Sequence, residues 1–325
     1  MQSTASIDLV ICTYNNALLL SRTLQSLINQ KVSANIKWSI WVINNNCTDQ
    51  TADVVSHFAS ISPVPLQMVV ETQQGLTAAR HCGVLSTTAE WIAFIDDDCL
   101  LAEDWVEQAI AFILEHPTCG AFGGHIILHW EEPPPLYALK FPYAYAGKYH
   151  GESPKRRPWV AGAGMVLRRK ALLECGWVEK QFLADRTGNR LVSGGDMEIG
   201  MRIATKYEVW YNPACKLQHI IPQKRTSRGY LQRILQGLGA SRHNVMALSW
   251  SGSYNTWFMY SLCISMGLLI LCTFNALKDL VKVQTSAGPR IAFAPYLGWN
   301  SAVWAMARMD KNERNALLGC ATPSN

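Results

Sequence analysis

The feature that most constrains this chain is an alternation repeated four times near its start. A short apolar stretch is followed each time by a segment whose apolar residues recur at helical spacing. Ile7 to Cys12 is apolar apart from Asp8, as befits a strand buried on both faces, and Thr13-Tyr14-Asn15-Asn16 breaks it. Leu20, Leu24, Leu27 and Ile28 then mark a helix. Trp38 to Ile43 is a second strand, closed by Asn44-Asn45-Asn46, and Thr51, Val54, Val55 and Phe58 mark the next helix. Leu66 to Val70 is a third strand, and Gly75 opens a helix carrying Ala78, Ala79 and Arg80. Trp91 to Ile95 is the fourth, running into Asp96-Asp97-Asp98. Val106, Ala109, Ile110, Ile113 and Leu114 form one helical stripe that stops before Pro117. The pattern predicts an α/β fold with a mainly parallel central sheet flanked by helices. In open sheets of this kind ligands bind beyond the carboxyl ends of the strands. One cleft is therefore expected to collect Thr13-Tyr14, Asn44, Arg80 and the acidic triplet.

Asp96 and Asp98 form a D-x-D pair. On an extended segment they point to the same side. Three adjacent carboxylates without a basic neighbour repel one another, a cost that a hard divalent cation relieves. A solvated acidic turn that caps the following helix is the competing explanation. The apolar strand Trp91-Ile92-Ala93-Phe94-Ile95 just before the triplet favours the cation.

The middle of the chain is less regular. Glu131 to Pro135 is a Pro-rich turn, and Lys155-Arg156-Arg157-Pro158 is a basic loop. Gly194-Gly195-Asp196-Met197-Glu198 opens another helix, and Val209 to Asn212 is strand-like with His219 shortly after. His125 and His129 stand four apart, but no third ligand of zinc type accompanies them, so no metal site is expected there.

Five motifs together resemble the family 2 inverting glycosyltransferases of the GT-A fold. They are Val10-Ile11-Cys12-Thr13-Tyr14-Asn15, Val42-Ile43-Asn44-Asn45-Asn46-Cys47-Thr48-Asp49, Gly75-Leu76-Thr77-Ala78-Ala79-Arg80-His81, Phe94-Ile95-Asp96-Asp97-Asp98 and Gly194-Gly195-Asp196-Met197-Glu198. The resemblance covers about the first 225 residues. It implies that Thr13, Tyr14 and Asn15 line the nucleotide, with Arg80 supporting it. It implies that Asp96 touches the ribose and that Asp98 and His219 bind Mn²⁺ or Mg²⁺. Asp97 belongs to the same nucleotide-sugar site or faces away from it. Asn44 stands where the family usually has an Asp that reads the base, so the base itself stays open, a UDP-sugar being the expected donor. His81 and Gly195 also depart from the usual pattern. Asp196 matches the family's catalytic acidic position, as the base that takes the acceptor proton, with Glu198 as its alternative. At a helix N-terminus both carboxylates also suit the helix dipole alone.

The expected reaction is transfer of a sugar, of hexosyltransferase type, from a nucleotide-sugar donor to a hydroxyl of a glycan or lipid-linked acceptor, in cell-surface polysaccharide synthesis. Two rivals differ in class. A nucleotidyltransferase is expected to carry a Gly-rich, Lys- or Arg-bearing loop after its first strand, which Thr13-Tyr14-Asn15-Asn16 lacks. A membrane-anchored nucleotide-sugar-binding protein with a decayed site remains compatible with Asn44 and Gly195.

Only 16% of residues are charged, low for a freely soluble chain. The net charge of +5 is too mild to suggest nucleic acid, though it suits an anionic surface or a phosphate-bearing substrate. The ten cysteines show no paired spacing and read as reduced thiols. Between Asn244 and Leu277 there is no Asp, Glu, Lys or Arg, and 257–277 is long enough to cross a bilayer. A buried or interface-lying helix fits the same pattern. The expected division is thus a GT-A domain over 1–225 and a helical C-terminal region over 226–325. No signal-peptide pattern opens the sequence. The expected location is the cytoplasmic face of a membrane, single-pass, or otherwise the cytoplasm.

Overall fold

The structure, a computed structural model, describes residues 5–187, 191–281 and 287–322. Its first half follows the expected alternation: β1 (Ser6–Thr13), α1 (Ala17–Ile28), β2 (Lys37–Asn44), α2 (Thr51–Ile61), β3 (Leu66–Val70), α3 (Leu76–Ser86) and β4 (Trp91–Asp96). β1 pairs in parallel with β2 and β4, and β2 with β3, so these four strands form the parallel part of the sheet. Next come β5 (Cys99–Leu101), α4 (Trp105–Glu115), β6 (Cys119–Trp130), β7 (Lys155–Arg156), β8 (Met165–Arg168), α5 (Arg169–Glu174), α6 (Gly195–Ala204) and β9 (Glu208–Ile221). The strand order is β3-β2-β1-β4-β8-β6-β9-β5, with β7 beside β9.

The sheet is mixed, because β8 pairs antiparallel with both β4 and β6, and β9 pairs antiparallel with β5 and β7. α4 is a crossover that makes β6 run in the same sense as β4, and β8 inserts between them in the opposite sense. Short or Gly-rich strands such as Cys119-Gly120-Ala121-Phe122-Gly123-Gly124 carry little period-two signal, which is why only Val209 to Asn212, within β9, was read as strand-like in this half. Gly124 is required by packing: a Cβ there would lie 1.8 Å from the Cys215 carbonyl oxygen on β9.

Alternation along β1 divides the core between the two faces of the sheet. Ile7, Leu9 and Ile11 join Leu20, Leu24, Leu27 and Trp105 on one side. Val10 joins Ile43, Ala79, Phe94 and Trp177 on the other. Each of the Val, Leu, Ile and Phe side chains among them stabilises the fold by about 1.5–3 kcal/mol on burial.

The chain divides into two compact units. One holds the chain up to His129 with Ala146–Gln181 and Ile199–Ile220, which is the sheet and its helices. The other holds Trp130–Tyr145, Phe182–Glu198 and the chain from Ile221 onward. Two internal segments thus group with the C-terminal region. The second unit contains α7 (Arg228–Leu248), α8 (Tyr254–Val281), α9 (Pro289–Ala307) and α10 (Lys311–Leu317). α7 and α9 touch backbone to backbone. A Cβ on Gly298 would lie 1.8 Å from the Gln236 carbonyl oxygen, and one on Gly239 would lie 2.2 Å from that of Pro295. α8 packs on α9 through Trp299 Nε1 donating to the Ser261 carbonyl at 3.0 Å and Ser265 Oγ donating to Asn300 Oδ1 at 2.8 Å.

Candidate functional site

The loops that leave β1, β2, β3 and β4 are tied to one another by side chains. Thr13 Oγ1 donates to Asp97 Oδ2 at 2.6 Å, and Asn16 Nδ2 donates to Asp97 Oδ1 at 2.8 Å. Asn15 sits in the left-handed region at φ 49°, a conformation Asn tolerates better than most residues. Its Oδ1 accepts from Thr48 N at 2.7 Å. Cys47 Sγ touches the Thr13 carbonyl at 3.4 Å and accepts from Asn15 N at 3.3 Å. Asn44 Oδ1 accepts from Cys47 N at 2.8 Å, which folds the loop back on the strand end. Asn45 donates to the Glu71 and Gln73 carbonyls and accepts from Gly75 N at 2.8 Å, joining the loop after β3 to the start of α3. Asp49 accepts from Ala17 N and from Thr51. These hydrogen bonds outweigh burial and hold its pKa below the usual value. Gly75 opens α3 at φ 135°, a conformation open to glycine.

Asp97 is therefore not turned away, as an extended chain would have it. Asp97 and Asp98 form a turn between β4 and β5. The extended geometry expected for the triplet fails because the chain reverses there to pair β5 with β9. The reversal still gathers ligands. One atom each from Asp96, Asp98 and Cys99 lie within 4.8 Å of one another. Register places Cys99 opposite His219, and His219 Nε2 lies 3.2 Å from Asp98 Oδ1 with both side chains buried.

The donor chemistry fits a hard divalent cation. Carboxylate oxygens suit Mg²⁺ and Mn²⁺, and imidazole is a compatible addition. Cys99 is the odd member: burial first, then the charge of Asp98, raise its thiol pKa well above the ordinary value, and a soft sulfur suits such a cation less well than carboxylate oxygen. Asp96, Asp98 and His219 are the residues that would hold the ion.

Arg80 lies on α3, buried, with its guanidinium 5.5 Å from the centre of the Phe94 ring. Cys12 lies in register beside Asp96. Burial drives its thiol pKa up, and the nearby charge of Arg80 only partly offsets that. Tyr14 is half exposed, with its ring at the surface of the β1 loop. His81 does not join this group. Its Nε2 pairs with the Val178 carbonyl at 3.0 Å and its ring leans on Trp177.

Thr13, Tyr14, Asn15, Asn44, Arg80, Asp96, Asp97, Asp98 and His219 all belong to the sheet-bearing unit. Asp196 and Glu198 lie at the start of α6, in the segment assigned to the second unit. There the acidic residues have different tasks. Glu198 is fully buried, and its carboxylate accepts from Phe182 N and Leu183 N at 2.7–3.1 Å. Asp185 Oδ1 accepts from Gly194 N and Gly195 N at 3.0 Å each. Asp196 is less buried and its Oδ1 meets the next backbone N–H at 2.9 Å. His125 rests on the Tyr149 ring.

Four residues of this framework were not singled out from the sequence: Asn16, Asn45, Cys47 as a bridging thiol, and Asp185. The run Asn44-Asn45-Asn46 marked a turn, but nothing local shows which loop each amide reaches.

The chain's similarities to known proteins agree with this geometry. Residues 8–176 match the family model described as glycosyl transferase family 2. A glucosyl-dolichyl phosphate glucuronosyltransferase of Haloferax volcanii is 23% identical over 232 residues, covering 69% of this chain and 72% of the relative. The succinoglycan biosynthesis protein ExoM of Rhizobium meliloti is 23% identical over 263 residues, covering 78% of this chain and 79% of the relative. The mannosyltransferase PcManGT of Pyrobaculum calidifontis, solved with GDP-Man and Mn²⁺, superposes with a TM-score of 0.56 at 19% identity, over 96% of this chain and 77% of that one. At that identity the likeness concerns the fold.

Proposed function

The chain belongs to glycosyl transferase family 2, and on that premise we propose that it is an inverting, metal-dependent enzyme that moves a sugar from a nucleotide-sugar donor to a hydroxyl of a glycan or lipid-linked acceptor. The observation that carries this reading is the grouping of Asp96 at the end of β4 with Asp98 in the turn to β5, and the contact of Asp98 with His219 on β9, beside the tied loops of β1 and β2.

Asp96, Asp98 and His219 would hold a divalent cation, which would supply charge neutralisation to the donor diphosphate as it leaves. Around that site, Arg80 supports the nucleotide, and Asn15 and Tyr14 border it. Thr13 acts through Asp97, which fixes the loop's shape. Asn44 and Cys47 together set the floor against which the base lies. Asp196 takes the proton from the acceptor hydroxyl as its oxygen attacks the anomeric carbon opposite the diphosphate, which inverts that carbon. Glu198 is assigned a structural task, since backbone N–H groups occupy its carboxylate. The relatives support a place in polysaccharide or lipid-linked glycan assembly, and the C-terminal region supports contact with a membrane.

The test is a screen of UDP- and GDP-sugars with the purified full chain and Mn²⁺, reading release of nucleoside diphosphate. Release from one donor, lost on chelation, supports the proposal. Binding of a nucleotide sugar with no release under any acceptor supply would instead favour the decayed binding protein.

A further inference from the structure

We propose that α8 anchors the protein in the plane of a membrane surface, with one face among the acyl chains, and does not cross the bilayer. This rests on the membrane contact proposed above and specifies its mode.

The apolar length of α8 does not decide the matter, because 25 residues suffice to span. Its packing does. Trp257, Ser261, Ser265 and Cys272 are buried and fall on one narrow stripe of the helix. Met259, Met266, Leu269, Ile270, Phe274 and Leu277 are all exposed and sweep over the opposite face. Facing water, a surface of that width is unfavourable along its whole length.

The buried stripe commits α8 to α9. Contacts run from Phe258 against Trp304, through Trp299 on Ser261, to Ser265 on Asn300, so the two helices lie antiparallel and side by side. α9 is in turn locked to α7 by Gly298 against Gln236 and Gly239 against Pro295. His243 of α7 packs its ring on both Trp257 and Trp299. Carrying α8 across a bilayer would carry α9 with it and draw in α7. α7 exposes Arg233 and Arg242, side chains that are among the costliest to place in hydrocarbon. Lying flat, the same bundle keeps α7 in water and sinks only the outer face of α8.

Charge selects a lipid surface as the occupant over an apolar protein partner. Residues 226–325 hold nine Lys and Arg against three Asp and Glu, an excess of +6, whereas the whole chain carries +5. The positive excess is thus confined to this region. Lys278 and Arg290 stand exposed near one end of the α8–α9 pair, and Arg308 and Lys311 near the other. Cations at both ends of an apolar face match anionic headgroups around an inserted helix. Exposed Tyr260 and Trp304 supply the interfacial aromatics.

The experiment uses the full chain and vesicles of phosphatidylcholine with or without phosphatidylglycerol. A fluorescent amino acid replaces Met259, Met266 or Leu277 in turn, and lipids brominated at shallow or deep acyl positions report its depth. Equal, shallow depths at all three sites are expected, with tighter binding to the anionic vesicles. A deep Met266 site between two shallow ends overturns the in-plane mode and leaves membrane contact standing. No binding to either vesicle overturns both. Leu269→Glu with Phe274→Glu is expected to weaken vesicle binding by about tenfold or more while nucleoside diphosphate release in solution persists. Undiminished binding of that variant also overturns the proposal.

Discussion

His219 Nε2 lies 3.2 Å from Asp98 Oδ1, although the two residues are far apart in the chain. The antiparallel pairing of β5 with β9 brings them together, with Cys99 opposite His219. Asp98→Ala is expected to abolish Mn²⁺-supported nucleoside diphosphate release. His219→Ala, which removes a ligand outright, is expected to reduce it by about a hundredfold or more, beyond the tenfold to hundredfold cost of disturbing a ligand's surroundings. Calorimetric titration with Mn²⁺ and donor checks both. Unchanged metal dependence in either variant would remove that residue from the metal site.

Asp97 accepts hydrogen bonds from Thr13 and Asn16, and so fixes the loop leaving β1. Hydrogen bonds to a charged partner each contribute about 1.5–3 kcal/mol. Asp97→Ala is expected to raise the donor KM by about tenfold with a smaller change in kcat, while Asp97→Asn, which keeps one acceptor oxygen, recovers part of the loss. Steady-state kinetics at saturating Mn²⁺ measure this. Equal loss of kcat in both variants would mean that Asp97 touches the reacting groups itself.

A Cβ added at Gly195 would lie 2.3 Å from Asp185 Oδ2, and Asp185 Oδ1 holds the backbone N–H groups of Gly194 and Gly195. Gly195→Ala is therefore expected to push Asp185 aside and destabilise the protein by about 1–3 kcal/mol, as overpacking of a tight site does. Urea denaturation gives the number. Combining it with Asp185→Gly should relieve the clash but lose the two hydrogen bonds, so the pair of changes is non-additive. Simple additivity would contradict the contact.

His243 is enclosed by the Trp257 and Trp299 rings. Burial lowers its pKa from 6.5 to about 4, partly offset by the hydrogen bond with Asn244. Between those values the unfolded chain binds the extra proton and the folded chain does not. Stability from this site is therefore full above about pH 6.5 and declines as pH falls toward 4, by at most about 3 kcal/mol. Denaturation curves across that window should flatten in His243→Gln. An unaltered slope would place the titrating group elsewhere.

The parallel half of the sheet was readable because each of its strands is apolar and each following helix keeps its period. The expected Leu66–Val70 strand matches β3, and Trp91 to Ile95 falls one residue short of β4. Of the antiparallel half only Val209 to Asn212, within β9, was readable. Gly123 and Gly124 are there to let Val160 and Cys215 approach, a long-range demand that leaves no local pattern. The candidate metal ligands Asp96 and Asp98 were visible as a motif at a strand end. The turn that gathers them leads into the pairing of β5 with β9, over a hundred residues away, and the use of Asp97 as a clamp depends on Thr13 and Asn16, some eighty residues back. The apolar stretch over 257–277 was likewise plain in the sequence. Its packing against α9, which bears on how it meets a membrane, was not.

The central claim is that Asp96, Asp98 and His219 hold a cation that serves sugar transfer from a nucleotide donor. The direct measurement is nucleoside diphosphate release by the full chain from UDP- and GDP-sugars, with Mn²⁺ and with chelator, for the wild type and Asp98→Ala side by side. Release that needs both the metal and Asp98 is the expected result. Release that persists in the chelated wild type, or in Asp98→Ala with Mn²⁺, would contradict it.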